Sequence, residues 1–79
     1  MSLDSRATLQ IDLTNLPIGT DYDLYLYQAG SSSYLKSSTN GGTTPERIVV
    51  QLDPGRYDIR IYPLLGRSPQ PYRLSVRWW

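Results

Sequence analysis

The stretch Asp21 to Tyr27, DYDLYLY, concentrates carboxylates and phenols in seven residues. Asp21 and Asp23 stand two apart. In an extended strand they share a face, with Cα atoms about 7 Å apart. Two carboxylates so spaced can reach one hard cation. Calcium takes about six to eight oxygen ligands, so backbone carbonyls or Asn40 would have to complete the set. The same two residues can instead brace a turn or keep a strand face soluble.

The chain has seven tyrosines and no phenylalanine. Tyr25 and Tyr27 fall on the face of Asp21 and Asp23, and Tyr62 is expected to point outward with Arg60 beside it. Tyrosine offers a large, stiff surface with a polar tip, which suits contact with polymers. An outward set of Tyr25, Tyr27, Arg60 and Tyr62 is therefore a candidate binding face for protein fibre or glycan. Cross-strand aromatic packing on a solvent face is the plainer alternative. Tyr22, Tyr57 and Tyr72 read as core-facing. Of the terminal pair Trp78 and Trp79, one is expected to cap the core; stacking on sugar rings is the alternative.

With no cysteine and no histidine, disulfides, thiolate catalysis, Cys/His zinc sites and histidine triads are all excluded within this chain. The serine-rich segment has hydroxyls, but the single lysine, Lys36, is the only formal base near it. Asp21 with Asp23 can be drawn as a glycosidase pair, yet a small sandwich offers no deep cleft. Autonomous catalysis is not expected. Glu46 is expected to pair with Arg47 or with an arginine on a neighbouring strand, for about 0–1 kcal/mol if exposed.

These residues need strands to position them, and period-two alternation dominates the chain. TLQIDL, Thr8 to Leu13, sets Leu9, Ile11 and Leu13 on one face. TNLPIG follows as a turn. Tyr22 to Tyr27 sets Tyr22, Leu24 and Leu26 against Asp21, Asp23, Tyr25 and Tyr27. The polar segment Ala29 to Thr44 reads as loop, with a short strand at Tyr34 to Lys36. RIVVQL turns Ile48, Val50 and Leu52 inward, and RYDIRIY turns Tyr57, Ile59 and Ile61 inward. The intervening DPG makes these two the strongest hairpin signal. PLLGRSPQP is a loop, and Tyr72 to Trp78 sets Tyr72, Leu74, Val76 and Trp78 on one face. No useful helical period and no internal repeat occur. Several short antiparallel strands separated by turns argue for a β-sandwich or barrel.

The 79 residues suffice for one domain with one small core and a thin stability margin. Residues 1–6 read as an added or disordered lead-in, and 7–79 as a single domain. No apolar run is long enough for a membrane-spanning helix, so no membrane insertion is expected. The N-terminal residues lack the apolar core of a signal peptide; if the protein is exported, its signal lies upstream. Net charge is +1, with charges scattered. Arg56, Arg60, Arg73 and Arg77 fall at strand spacing, but they form no basic stripe, so no nucleic-acid partner is expected.

The order DYDLYLY, a Ser/Gly loop, PERIVVQLDPGRYDIRIYP, then YRLSV resembles the bacterial pre-peptidase C-terminal domain family. The likeness covers roughly Thr8 to Val76. It implies an antiparallel, jelly-roll-like β-sandwich of about six to eight short strands. It also implies a non-catalytic accessory domain of a secreted or cell-surface hydrolase, most often a peptidase, with the catalytic domain in cis. Such a domain aids substrate binding, secretion or maturation. The relatives include collagenase collagen-binding domains, where surface tyrosines grip the triple helix and calcium steadies the fold. Two departures stand out. The family's opening D-x-Y-x-F-x-L strand has no counterpart before TLQIDL, and an open edge left by it would invite a homodimer. The acidic linker that supplies calcium ligands in the collagenase relatives is also absent. The alternative is a structural spacer or adhesion module of a large bacterial surface protein, possessing glycan affinity or no ligand of its own.

Overall fold

The computed structural model describes residues 1–16, 18–41, 44–65 and 72–79. Pro17 of the TNLPIG turn, part of the Ser/Gly/Thr segment and most of the PLLGRSPQP loop lie outside them. The order is β1 (Ser2–Leu3), β2 (Ala7–Thr14), β3 (Asp21–Gln28), β4 (Tyr34–Ser38), β5 (Glu46–Leu52), β6 (Gly55–Leu65) and β7 (Arg73–Trp78). A four-stranded sheet, β1-β6-β3-β4, and a three-stranded sheet, β5-β2-β7, are both antiparallel throughout. The chain is an all-β two-sheet sandwich, as the alternation implied.

The core forms where the apolar faces of the strands meet. Leu9, Ile11 and Leu13 of β2 and Leu24 and Leu26 of β3 are fully withdrawn from water, and Ile48 is nearly so. Tyr22 and Tyr57 are buried with them, while Val50, Ile59, Ile61 and Val76 pack against the cluster. Each such side chain stabilises by about 1.5–3 kcal/mol relative to exposure.

The DPG segment is not a hairpin. β5 pairs with β2, Ile48 opposite Ile11, whereas β6 pairs with β3, Ile61 opposite Leu24. Asp53 to Gly55 is therefore an arch from one sheet to the other. Alternating apolar residues on both sides of a turn satisfy either arrangement. The Tyr57 hydroxyl donates to the Asp53 carbonyl at 2.7 Å and fastens the arch. Gly55 sits at φ 155°, where a side chain is strained.

Residues 1–6 are part of the fold, contrary to the expectation of a disordered lead-in. Leu3 is buried, and Met1 exchanges both backbone bonds with Tyr57, at 2.8 and 2.9 Å. β1 pairs only with Gly55 and Arg56 of the eleven-residue β6. β7 also departs from expectation. Tyr72 and Leu74 are each 41% exposed and Trp78 is 56% exposed, so only Val76 of that face packs on the core. β7, like β5, is an edge strand of its sheet, with a neighbour on one side alone. Neither tryptophan caps the core. Trp79 is nonetheless held, exchanging backbone bonds with Thr8 while the Arg77 guanidinium lies 5.4 Å from its ring centre.

Glu46 occupies an inward position of β5 and is completely buried. Its Oε2 accepts a bond from the Ser38 hydroxyl and another from the Asn40 N–H at 3.1 Å. The Arg47 N–H donates to the same Ser38 oxygen at 3.2 Å, and the Asn40 side-chain amide donates to the Pro45 carbonyl at 3.0 Å. Glu46 thus ties β4 of one sheet to β5 of the other. The anticipated pairing with Arg47 does not form, because successive strand residues point to opposite faces. Arg47 turns outward and meets Asp12 at 2.5 Å. Asp12 also accepts a bond from the Gln10 side chain at 2.8 Å, and Arg77 donates to Gln10 at 3.2 Å. The bonds from Gln10 and Arg47, aided by the charges of Arg47 and Arg77, lower the Asp12 pKa from its ordinary 3.8.

Two outcomes are expected. Glu46→Ala removes a buried anchor and leaves the Ser38 hydroxyl and Asn40 N–H short of a partner; stability falls by about 2–4 kcal/mol in urea unfolding, and the Asn40 amide exchanges faster with deuterium. Asp12→Asn costs up to about 1 kcal/mol near neutral pH. Because the folded-state pKa lies below the unfolded one, Asp12's contribution is complete above pH 3.8 and disappears as pH falls through the lower folded value. Urea midpoints of the two proteins therefore converge on the acid side.

Candidate functional site

β3 lies between β6 and β4, so its outward side chains are flanked on both sides. Leu24 and Leu26 take the inward positions, which turns Asp23, Tyr25 and Tyr27 out together. Register brings Arg60 opposite Tyr25 and Tyr62 opposite Asp23. On the other side a register shift between Leu26 and Tyr27 sets Tyr34 opposite Tyr27.

The rings form a connected cluster. Tyr25 and Tyr34 are 5.3 Å apart between ring centres and Tyr27 and Tyr34 are 6.5 Å apart, both edge-to-face. Tyr25 and Tyr27 are 6.4 Å apart. Edge-to-face contacts set the positive rim of one ring against the negative face of another. The Arg60 guanidinium lies 4.7 Å from the Tyr27 ring centre, a cation–π contact. Tyr25 and Tyr27 are half-buried, forming a floor, while Tyr34 and Tyr62 stand more than half exposed beside it. The Tyr25 phenol has its pKa raised by partial removal from water, then by the negative charge of Asp23 and by the phenols of Tyr34, Tyr27 and Tyr62.

All four residues picked from the sequence, Tyr25, Tyr27, Arg60 and Tyr62, therefore share one face. Tyr34 was missed as a member. It stands in a serine-rich segment whose alternation gives no hint of a partner, and only the shifted pairing of β4 with β3 brings it in. Tyr22 and Tyr57 are buried as expected; Tyr72 is exposed, with its ring 5.6 Å from that of Tyr22.

Asp21 and Asp23 stand at the start of β3, beside a second register shift where Asp21 faces Leu65 and Tyr22 faces Pro63. Asp23 is buried, although it sits on the outward face, and Asp21 is half-buried. The Oδ1 atom of each is shielded from water and has no hydrogen-bond partner. Burial, and then the charge of Asp21, raise the Asp23 pKa from 3.8. These are not the features of a carboxylate that merely keeps a strand soluble. Asn40, a candidate third ligand, is instead engaged at Glu46 and Pro45. Among the described residues no group of three or more His, Cys, Asp or Glu side chains is placed to hold a metal. Lys36 is exposed on β4.

No curated protein and no solved structure matches the chain. The description "Bacterial pre-peptidase C-terminal domain" matches residues 1–63, most of the chain and all of the tyrosine face. The chain belongs to the bacterial pre-peptidase C-terminal domain family, whose members accompany bacterial peptidases as non-catalytic accessory domains.

Proposed function

We propose that this domain holds a secreted bacterial hydrolase, in the first instance a peptidase, on an extended polymeric substrate, and that the tyrosine face is the contact surface. The observation that supports this reading is the joining of four tyrosines and one arginine across three neighbouring strands. A half-buried aromatic floor with exposed phenols at its margins suits a long, repetitive ligand. The rings are already packed against one another, so binding orders few new rotamers. The phenol hydroxyls and the Arg60 guanidinium supply hydrogen bonds to backbone carbonyls of a protein fibre or to sugar hydroxyls. The catalytic work belongs to a partner domain in cis.

The test is co-sedimentation with insoluble gelatin and, separately, with chitin, each scored as a binding isotherm. Binding to one of them is expected. Tyr34→Ala with Tyr62→Ala should weaken it by about tenfold or more, in line with aromatic hot spots. Both side chains are largely exposed, so the melting temperature should hardly move. Absence of binding to either polymer would leave the domain a spacer.

A further inference from the structure

We propose that β7 is the edge at which two copies of this chain join, strand against strand and antiparallel, about a two-fold axis through Val76. Leu74, Val76 and Trp78 take the inward positions of β7, opposite Leu13, Ile11 and Leu9, which are fully buried. Yet Leu74 is 41% and Trp78 56% exposed, and among the described residues no strand lies beyond β7. The backbone points the same way. Trp79 exchanges both backbone bonds with Thr8. Bonded and non-bonded pairs alternate along an antiparallel ladder, so Arg77, Ser75 and Arg73 also turn their backbone groups toward β2. Leu74, Val76 and Trp78 turn theirs toward the open margin. One set of residues therefore presents both incompletely covered apolar surface and outward-directed backbone groups. Sheet edges are ordinarily blunted by brevity, lysine, proline or irregular pairing. β1 has only two residues, β4 carries Lys36 and a register shift, and β6 carries Pro63. On β5 the Arg47 N–H is already bonded to the Ser38 hydroxyl oxygen. Arg73–Trp78 has no proline, no lysine and no register shift.

Charge and symmetry name the occupant as a second copy. An axis through Val76 sets Leu74 against Trp78 of the second copy and Val76 against its own counterpart. These are the residues whose backbone groups face the open margin, so the ladder forms without taking a bond from β2. On the outer face the same axis sets Arg77 against Ser75. An axis through Ser75 would oppose Arg73 with Arg77, and one through Arg77 would oppose that residue with itself; like charges so placed repel. An axis through Leu74 carries Trp78 past the end of the opposite strand. The strand is thus complementary to itself in one register, with apolar side chains together and guanidinium groups apart. Pairing at β7 leaves the tyrosine face, on the other sheet, uncovered, so the dimer does not depend on polymer binding.

Sedimentation equilibrium of the full chain tests this. The mean mass should rise from one chain toward two between about 10 μM and about 1 mM, the weak range suited to an interface one strand wide. Leu74→Pro removes an N–H directed at the margin, where an edge strand tolerates proline, and should weaken association tenfold or more. Trp78→Lys, at an exposed position, is the second variant; it should weaken association similarly and leave the melting temperature of the dilute monomer unchanged. The axis is read by thiol crosslinking, because the chain has no cysteine of its own. Val76→Cys places two Cα atoms about 5.5 Å apart, within disulfide reach, and should crosslink on mild oxidation. Leu74→Cys places them about 14 Å apart and should not. A chain that stays monomeric at about 1 mM, or a dimer untouched by both Leu74→Pro and Trp78→Lys, would overturn the proposal. Crosslinking through Leu74→Cys but not Val76→Cys would overturn the axis.

Discussion

A strand that alternates can give the core only one of its faces, and β3 sits where that choice matters most. Leu24 and Leu26 are fully buried against the leucines and isoleucine of β2. Once they are inside, Asp23, Tyr25 and Tyr27 must be outside. A slip of one residue would bury two phenols and expose two leucines, so the apolar contact locks the register. The tyrosine face is thus the obverse of the core. Its members need no separate scaffold, because the packing that stabilises the sandwich also holds them in place.

Three carboxylates mark three different ways of placing acid in a small domain. Asp12 lies on the outer face of its sheet with a guanidinium and an amide donating to it, and its charge is favoured. Glu46 is sealed between the sheets, where the Ser38 hydroxyl and the Asn40 N–H hold one of its oxygens. Asp23 is shielded on a face that is otherwise outward, beside a second acid and with an oxygen left over. Glu46 shares that last feature, since its Oε1 is likewise buried without a partner. What sets the β3 start apart is the second acid beside it, whose charge adds to burial in raising the Asp23 pKa.

Closure without disulfides follows from contacts at both ends of β5. Glu46 ties its start to β4 across the sandwich, and the arch after Leu52 passes into β6 under the Tyr57 hydroxyl. Both devices join one sheet to the other, and both use a side chain that also lies in the buried interior. In a domain whose folding leaves a large share of its surface in water, such double use is how few residues suffice.

Alternation and composition were enough to determine the all-β class, the main strands, the inward faces of β2, β3, β5 and β6, and the shared outward position of Tyr25 and Tyr27. Side-chain direction in a strand is local, so it can be read residue by residue. Pairing is not local. Whether DPG turns a hairpin or crosses between sheets, whether Ser2 and Leu3 find an edge, and whether Tyr34 joins the aromatic cluster all depend on strands far along the chain. The same holds for burial: Asp23 looks exposed from its place in the pattern, and Trp78 looks buried from its own. Only the tertiary arrangement decided these, because the cover over a side chain is supplied by other elements, and hydrogen bonds between strands carry no mark in the segment that makes them.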